Sequence, residues 1–309
     1  MISAELLSDL EACQRRGYYS RDWLSRRLHP TEITRQALYR SLCATETESD
    51  IGEAAGSAVM ELCATVGLDL RETGNLYDIG LHHAAIADLV GTWARNRIGA
   101  PLGVAIDQDV GKHVWESSCL AAPSLGRLVR IVLVDHFSDE RTLAESRSWF
   151  TIGEVAIYDC PMDVYMVSLG AARGGKRHSA WSKALLHPRN RQVRFKKQIN
   201  KIEGFKETWL PVWREEHQEI SREVWLRAME LDGVLQDLTT SFSVETLSPF
   251  RRMEALDVIQ RKADQIAELK ELPDPSYSAC DWPRPCGFRS ICFAPARVTP
   301  AGLAFRKRG

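Results

Sequence analysis

The chain has no run of about 18 uninterrupted apolar residues, so no segment reads as a membrane-spanning helix and no membrane partner is expected. Its opening MISAELLSDLEAC lacks a basic flank and a long apolar stretch; a secretory leader is not expected, and a cytoplasmic location is. No internal repeat and no low-complexity segment is present. There is also no excess of either charge: the net value of -1 over 309 residues selects no class of partner until the positions of the charges are considered. What the chain does have is ordinary globular material, 44% hydrophobic and 26% charged, too apolar for a disordered protein and long enough for one large domain or two modest ones.

Cysteine is not scarce. Eight are present, and in a reducing compartment they are better read as metal ligands or buried apolar residues than as a disulfide framework. Cys43, Cys63, Cys119 and Cys160 stand in apolar contexts and read as small core residues. Cys280, Cys286 and Cys292 are grouped in CDWPRPCGFRSIC, and Cys13 lies far away in EACQRRGYY. Four soft thiolates suit a [4Fe–4S] cluster, with tetrahedral zinc as the alternative; either would fasten the two ends of the chain together.

The first hundred residues show apolar positions at three- and four-residue steps and read as helices. After Pro101 the texture becomes β-branched and short, with GVAIDQDV, HVWESSCLA and RLVRIVLVDH arranged as a hairpin would be. RIVLV is apolar throughout, as in a central buried strand. Ser138 with its following acids starts a helix over SDERTLAESRSWFTIGEVAIYD, and DVYMVSLG reads as another strand. Residues 207–237 and 250–272 read as long amphipathic helices. The expectation is an α/β fold in three regions: a helical region 1–100 carrying the first cysteine ligand, an α/β core 101–205, and a region 206–309 of helices and the cysteine segment.

Cys13-Gln-Arg-Arg-Gly-Tyr-Tyr resembles the Cys-Pro-Arg-Arg-aromatic opening of the iron–sulfur branch of RecB-like PD-(D/E)XK nucleases. That branch includes CRISPR-associated RecB-like exonucleases and the B subunit of AddAB-type helicase–nucleases. Cys286-Gly-Phe-Arg-Ser-Ile-Cys292 is similar to the family's Cys-x-aromatic-Arg-x-x-Cys close. Cys280 departs from the pattern, standing six residues before Cys286 where the family has three, so the loop with Pro283 and Pro285 must bulge. The resemblance implies a restriction-endonuclease-like core sheet and a cluster held by Cys13, Cys280, Cys286 and Cys292.

The same resemblance orders the nuclease motifs. Gly56-Ser57-Ala58-Val59-Met60-Glu61-Leu62 matches a Gly-x-x-Val-His-x-Leu helix with Met60 in the place of His. Val132-Leu133-Val134-Asp135-His136-Phe137 matches a strand ending in acid-x-Lys, with Asp135 present and Phe137 in the place of Lys. Glu154-Val155-Ala156-Ile157-Tyr158 resembles the Gln-x-x-x-Tyr helix. In such enzymes carboxylates seat Mg²⁺ or Mn²⁺ and the Lys steadies charge at the phosphate. Asp135 and Glu154 are therefore the candidate catalytic residues of a centre that has lost its partners; Asp107, Asp109, Glu116 and Asp163 are the acids that a different alignment would recruit. A capping role at the strand end is the plain reading of Asp135. His82 and His83 point about 100° apart on a helix and do not form a metal pair.

Ten basic residues run from Arg173 through Lys176, Arg177, Lys183, Arg189, Arg191, Arg194, Lys196 and Lys197 to Lys201, uninterrupted by acid and interleaved with Trp181, His178, His187 and Phe195. Such a stretch neutralises phosphates and stacks on unpaired bases, or else is a solvated surface or a patch that meets an acidic protein. Arg15, Arg16, Arg21, Arg26 and Arg27 are expected to extend that face. The leading expectation is a DNA-binding protein of a processing, repair or defence assembly, acting on single strands or single-stranded ends, with a structural cluster and an inactive nuclease centre. The alternatives are an active Mg²⁺- or Mn²⁺-dependent DNA exonuclease, in which Asp135 and a displaced acid hold the metal and Lys176 or another lysine replaces the missing one, and a subunit that docks a helicase or nuclease through its long helices.

Overall fold

The computed structural model describes residues 1–24, 30–44, 51–65, 87–88, 90–134, 138–168, 201, 239–280, 286, 288–294, 300 and 306–307. Its centre is a five-stranded mixed sheet in which neighbours follow chain order: β3 (Gly103–Val104), β6 (Leu120–Ala122), β7 (Arg127–Val134), β8 (Met162–Ser168) and β9 (Thr239–Val244). β6 is antiparallel to both β3 and β7, β7 and β8 run parallel from Leu128↔Met162 to Val134↔Ser168, and β9 returns antiparallel to β8.

β7 is apolar almost throughout because both of its faces are covered. Val129, Ile131 and Leu133 pack with α3 (Pro30–Ala44), α4 (Ile51–Thr65) and α5 (helical residues 90–98), while Leu128 and Val134 join Val155, Met162, Val164 and Met166 on the other face. The alternation along the strand, period two, thus separates two cores in a three-layer arrangement.

The parallel pairing of β7 and β8 requires a crossover, and the helical sequence between them supplies it. α6 (Asp139–Ser146) starts as the sequence predicts, with the Ser138 hydroxyl accepting from Arg141 N at 3.1 Å. The expected single helix is, however, broken after Ser146: a π-helical turn, Trp149–Gly153, leads into α7 (Glu154–Tyr158). Gly153 permits the close approach there, since a Cβ would lie 3.2 Å from the Trp115 ring. The expected hairpin forms between β6 and β7 around Pro123–Gly126, but the strands before it do not all join it. β4 (Gln108–Val110) and β5 (His113–Glu116) leave the main sheet and pair with β1 (Ile2–Ser3), in the order β1-β5-β4.

Over this small sheet lie α1 (Ala4–Ala12) and α8 (Pro249–Glu268). Leu6, Leu7 and Leu10 from α1, Trp115 from β5 and Ile259, Ala263 and Ile266 from α8 form a second core. The first residues of the chain are therefore built into the same core as residues beyond 249. α2 (Gln14–Asp22) follows α1 after a single extended residue, Cys13, at φ −163° and ψ 121°. β2 (Trp23–Leu24) then pairs antiparallel with β10 (Arg306–Lys307). None of the helices among the described residues is long and apolar enough to cross a membrane.

Candidate metal centre

Cys13 occupies the joint between two helices. Its amide donates to Asp9 O at 3.0 Å, closing α1, while its own carbonyl accepts from Gly17 N at 3.0 Å, opening α2. The side chain is left at the N-terminal end of α2, facing the returning C-terminal segment. The two helices pack closely at Gly17: a Cβ there would lie 2.9 Å from Leu10 Cα.

Opposite this joint the chain returns. A 3₁₀ turn, Tyr277–Ala279, leads into Cys280, whose carbonyl accepts from Cys286 N at 2.8 Å. A short helical turn, α9 (Arg289–Cys292), then carries Cys292, whose amide donates to Phe288 O at 2.9 Å. The four sulfur-bearing residues, Cys13, Cys280, Cys286 and Cys292, line one small cavity. Ser276 links two of them: its amide donates to Cys13 Sγ at 3.3 Å, and Cys280 Sγ, as a thiol, donates to its carbonyl at 3.6 Å. The large separation expected to be bridged, from residue 13 to residue 292, is bridged.

The remaining wall is basic and aromatic. Arg15, Arg16 and Arg289 line the cavity together with Tyr19 and Phe288, and among the described residues no carboxylate or imidazole does. Tyr19 stacks on Phe288 with ring centres 5.9 Å apart, and Ile291 is buried with them. Burial raises the Tyr19 phenol and the Cys286 thiol above their ordinary pKa values; Arg16 opposes the Cys286 shift. Arg16 pairs with Asp9 at 2.5 Å, and Asp9 also accepts from Ser20 Oγ. Among the described residues the side chains gathered here are mainly thiols, and four soft sulfur donors fit an iron–sulfur cluster or zinc better than a hard cation. Among the described residues no three His, Cys, Asp or Glu side chains are gathered as ligands of a single ion. Tetrahedral zinc, with Zn–S bonds near 2.3 Å, would draw the four sulfurs to about 3.8 Å from one another.

Arginines that the sequence seemed to point outward turn inward. Arg15 Nε donates to Pro273 O at 2.5 Å, and its Nη1 reaches Cys292 O at 3.2 Å and Cys292 Sγ at 3.8 Å. Arg21 Nη1 donates to Ile266 O and Leu269 O at 3.1 and 3.0 Å, satisfying carbonyls at the C-terminal end of α8. Buried carbonyls need donors, and these side chains provide them instead of extending a basic face. Arg26 and Arg27 lie outside the described residues.

The second candidate, Glu154, is fully buried. Its Oε1 accepts from Ser118 N at 2.8 Å and Ser118 Oγ at 2.7 Å; its Oε2 accepts from Trp115 Nε1 at 3.1 Å and Ser117 Oγ at 3.3 Å. Burial raises its pKa, and the Ser118 and Trp115 donors oppose the rise. Cys119, next to it, is raised further by its burial and by the Glu154 charge. The carboxylate holds the segment in which β5 leaves one sheet and β6 enters the other. Of the other acids, Asp107 accepts from Ser117 N at 3.1 Å, Asp163 pairs with Arg127 at 2.9 Å and bonds Ser243, and Asp109 and Glu116 lie on β4 and β5.

β7 ends at Val134, immediately before Asp135. Asp135, Phe137, the His82–His83 pair and the proposed helix 207–237 lie outside the described residues, as do Arg173, Lys176, Arg177, Lys183, Arg189, Arg191, Arg194, Lys196 and Lys197; Lys201 is described and exposed. Sequence reasoning missed Ser276 and Pro273, whose backbone groups meet the cage; backbone contacts of this kind leave no residue-type signal. No protein-family model matches the chain, and no curated protein or solved structure is similar to it.

Proposed function

We propose that this chain is a DNA-binding protein of RecB-like descent, with its two ends clasped by a [4Fe–4S] cluster on Cys13, Cys280, Cys286 and Cys292 and with its nuclease centre lost. The observation that carries the reading is the meeting of Cys13 with three cysteines more than 260 positions away, Cys280 Sγ and Cys13 Sγ both touching Ser276. When bound, such a cluster supplies cross-linking and one-electron chemistry rather than hydrolysis. The residues of this chain supply the four thiolates, two donors to sulfur and the aromatic cover formed by Tyr19 and Phe288.

Two further features support the family part of the proposal. The elements that carry the resembling motifs follow in the implied order around one sheet: α4 with Gly56 to Leu62, β7 leading to Asp135, and α7 beginning at Glu154. The sheet itself is mixed, with one parallel pair joined by helices. The loss of chemistry rests on the residues themselves: Met60 and Phe137 stand where the family resemblance asks for His and Lys, and a thioether and a phenyl ring offer no hard ligand for Mg²⁺ or Mn²⁺ and no charge. DNA affinity is assigned to the ten basic residues between Arg173 and Lys201.

The test is retention and cleavage of single- and double-stranded DNA by anaerobically purified protein with Mn²⁺. Salt-dependent retention without cleavage, abolished when Arg189, Arg191 and Arg194 become Glu, is the expected result. Metal-dependent cleavage that disappears in Asp135→Ala overturns the inactive centre and establishes the exonuclease reading; no retention at low salt overturns DNA binding and leaves the docking-subunit reading.

A further inference from the structure

Among the arginines that line the cysteine cavity, Arg15 addresses sulfur directly. Arg16 is engaged by Asp9 at 2.5 Å, within the α1–α2 pair. Arg15 instead spreads its guanidinium across the cage: Nε donates to Pro273 O at 2.5 Å, and Nη1 faces both Cys292 O at 3.2 Å and Cys292 Sγ at 3.8 Å. This fork ties three separate pieces together: α2, the loop that follows α8, and the Cys292 turn. A Lys, with a single ammonium on a flexible stem, does not reproduce that rigid geometry.

We propose that Arg15 is a positioning residue that sets the reduction potential of the centre held by the four cysteines; the inference rests on the iron–sulfur reading above. The physical argument is one of charge. Each thiolate ligand is anionic, and a one-electron reduction adds another negative charge in a cavity lined by Tyr19 and Phe288. A permanent cation within hydrogen-bonding reach of one sulfur favours the more negative, reduced state, and low local polarity strengthens the effect. The Ser276 amide adds a neutral donor to Cys13 Sγ at 3.3 Å. Arg15 and Ser276 therefore act on two different ligands from two sides, and outer hydrogen bonds of this kind orient ligands and tune potential.

The experiment is a spectroelectrochemical titration of the full chain, purified anaerobically, against a one-electron reductant, with iron counted in the same samples. Arg15→Gln removes the charge and keeps a donor. The expected result is iron-loaded protein whose ratio of reduced to oxidised centre at a fixed potential falls about tenfold, a lowering of about 59 mV for a one-electron couple. Arg15→Lys keeps the charge without the fork and is expected to shift in the same direction by less. If Arg15→Gln fails to hold iron, Arg15→Lys carries the test. Iron-loaded Arg15→Gln, or in its absence Arg15→Lys, with the wild-type potential overturns the inference and leaves Arg15 a purely structural clamp. Wild-type protein without iron overturns the iron–sulfur reading itself, an outcome distinguishable from the first because it appears before any substitution is made.

Discussion

Replacing Gly17 by alanine separates two effects that usually travel together. In an isolated helix the change stabilises by about 1 kcal/mol, because alanine loses less backbone entropy on folding than glycine. In α2 the added Cβ would stand 2.9 Å from Leu10 Cα and 3.1 Å from both Leu10 Cβ and Leu10 Cδ1. The nearest of these atoms is backbone, so relief requires α1 and α2 to move apart, and overpacking of this kind costs about 1–3 kcal/mol. The helix gain offsets the lower end of that range, which leaves Gly17→Ala destabilising by up to about 2 kcal/mol. Gly56→Ala in α4 is the control. A Cβ there meets nothing within 4 Å, so the helix gain of about 1 kcal/mol stands alone. Urea denaturation of both variants, with the slope unchanged, reads the difference directly. Because α2 begins at Cys13, Gly17→Ala is also expected to lower iron content while Gly56→Ala leaves it unchanged. Equal stabilisation in the two variants would refute the close helix contact and, with it, the account of how Cys13 is placed.

Three other perturbations follow from the same structure. Hydrogen bonds from His113, at 2.9 Å, and from Lys112 hold the Asp264 carboxyl down to about 2. A lowered carboxylate pKa contributes stability above the ordinary Asp value that is lost as pH falls toward the folded value, so acid unfolding between about pH 4 and pH 2 should flatten in Asp264→Asn. Glu154→Ala leaves the Trp115 indole N–H and Ser118 N without their acceptor and opens a void in a fully buried site; a loss of about 3–5 kcal/mol in denaturant unfolding is expected, and less than 1 kcal/mol would contradict the bonding described. Arg21→Ala removes the side-chain donor to Leu269 O and leaves Ile266 O with only the Leu269 amide, at 3.4 Å; thermal unfolding should report a loss of about 1–2 kcal/mol, and an unchanged midpoint would show that water replaces the guanidinium equally well.

Much of the framework was legible because it rests on periodicity. The uninterrupted apolar run of β7 announced a strand covered on both faces, and Ser138 with its acids announced the start of α6. The grouping of Cys13 with Cys280, Cys286 and Cys292 was legible from the motifs that carry them, and the four do line one cavity. What remained hidden depended on contacts distant in sequence. The division of the 103–122 region between two sheets turns on Ile2 and Ser3 pairing with Trp115 and Glu116, which no local pattern specifies. β9, TTSFSV, does alternate, but its polar residues gave no core signal, and it enters the sheet only as an outer strand beside β8. The inward turn of Arg15 and Arg21 depends on carbonyls of residues 266 to 292, so a basic cluster in the sequence became a set of internal clamps in the fold.

Metal analysis of the anaerobically purified chain beside its Cys13→Ser variant tests the central claim most directly. The account predicts a brown protein with about four iron atoms and matching labile sulfide per chain, falling sharply in Cys13→Ser although that residue is remote in sequence from the other three. A colourless, iron-free wild type, or iron that is indifferent to Cys13, would contradict it.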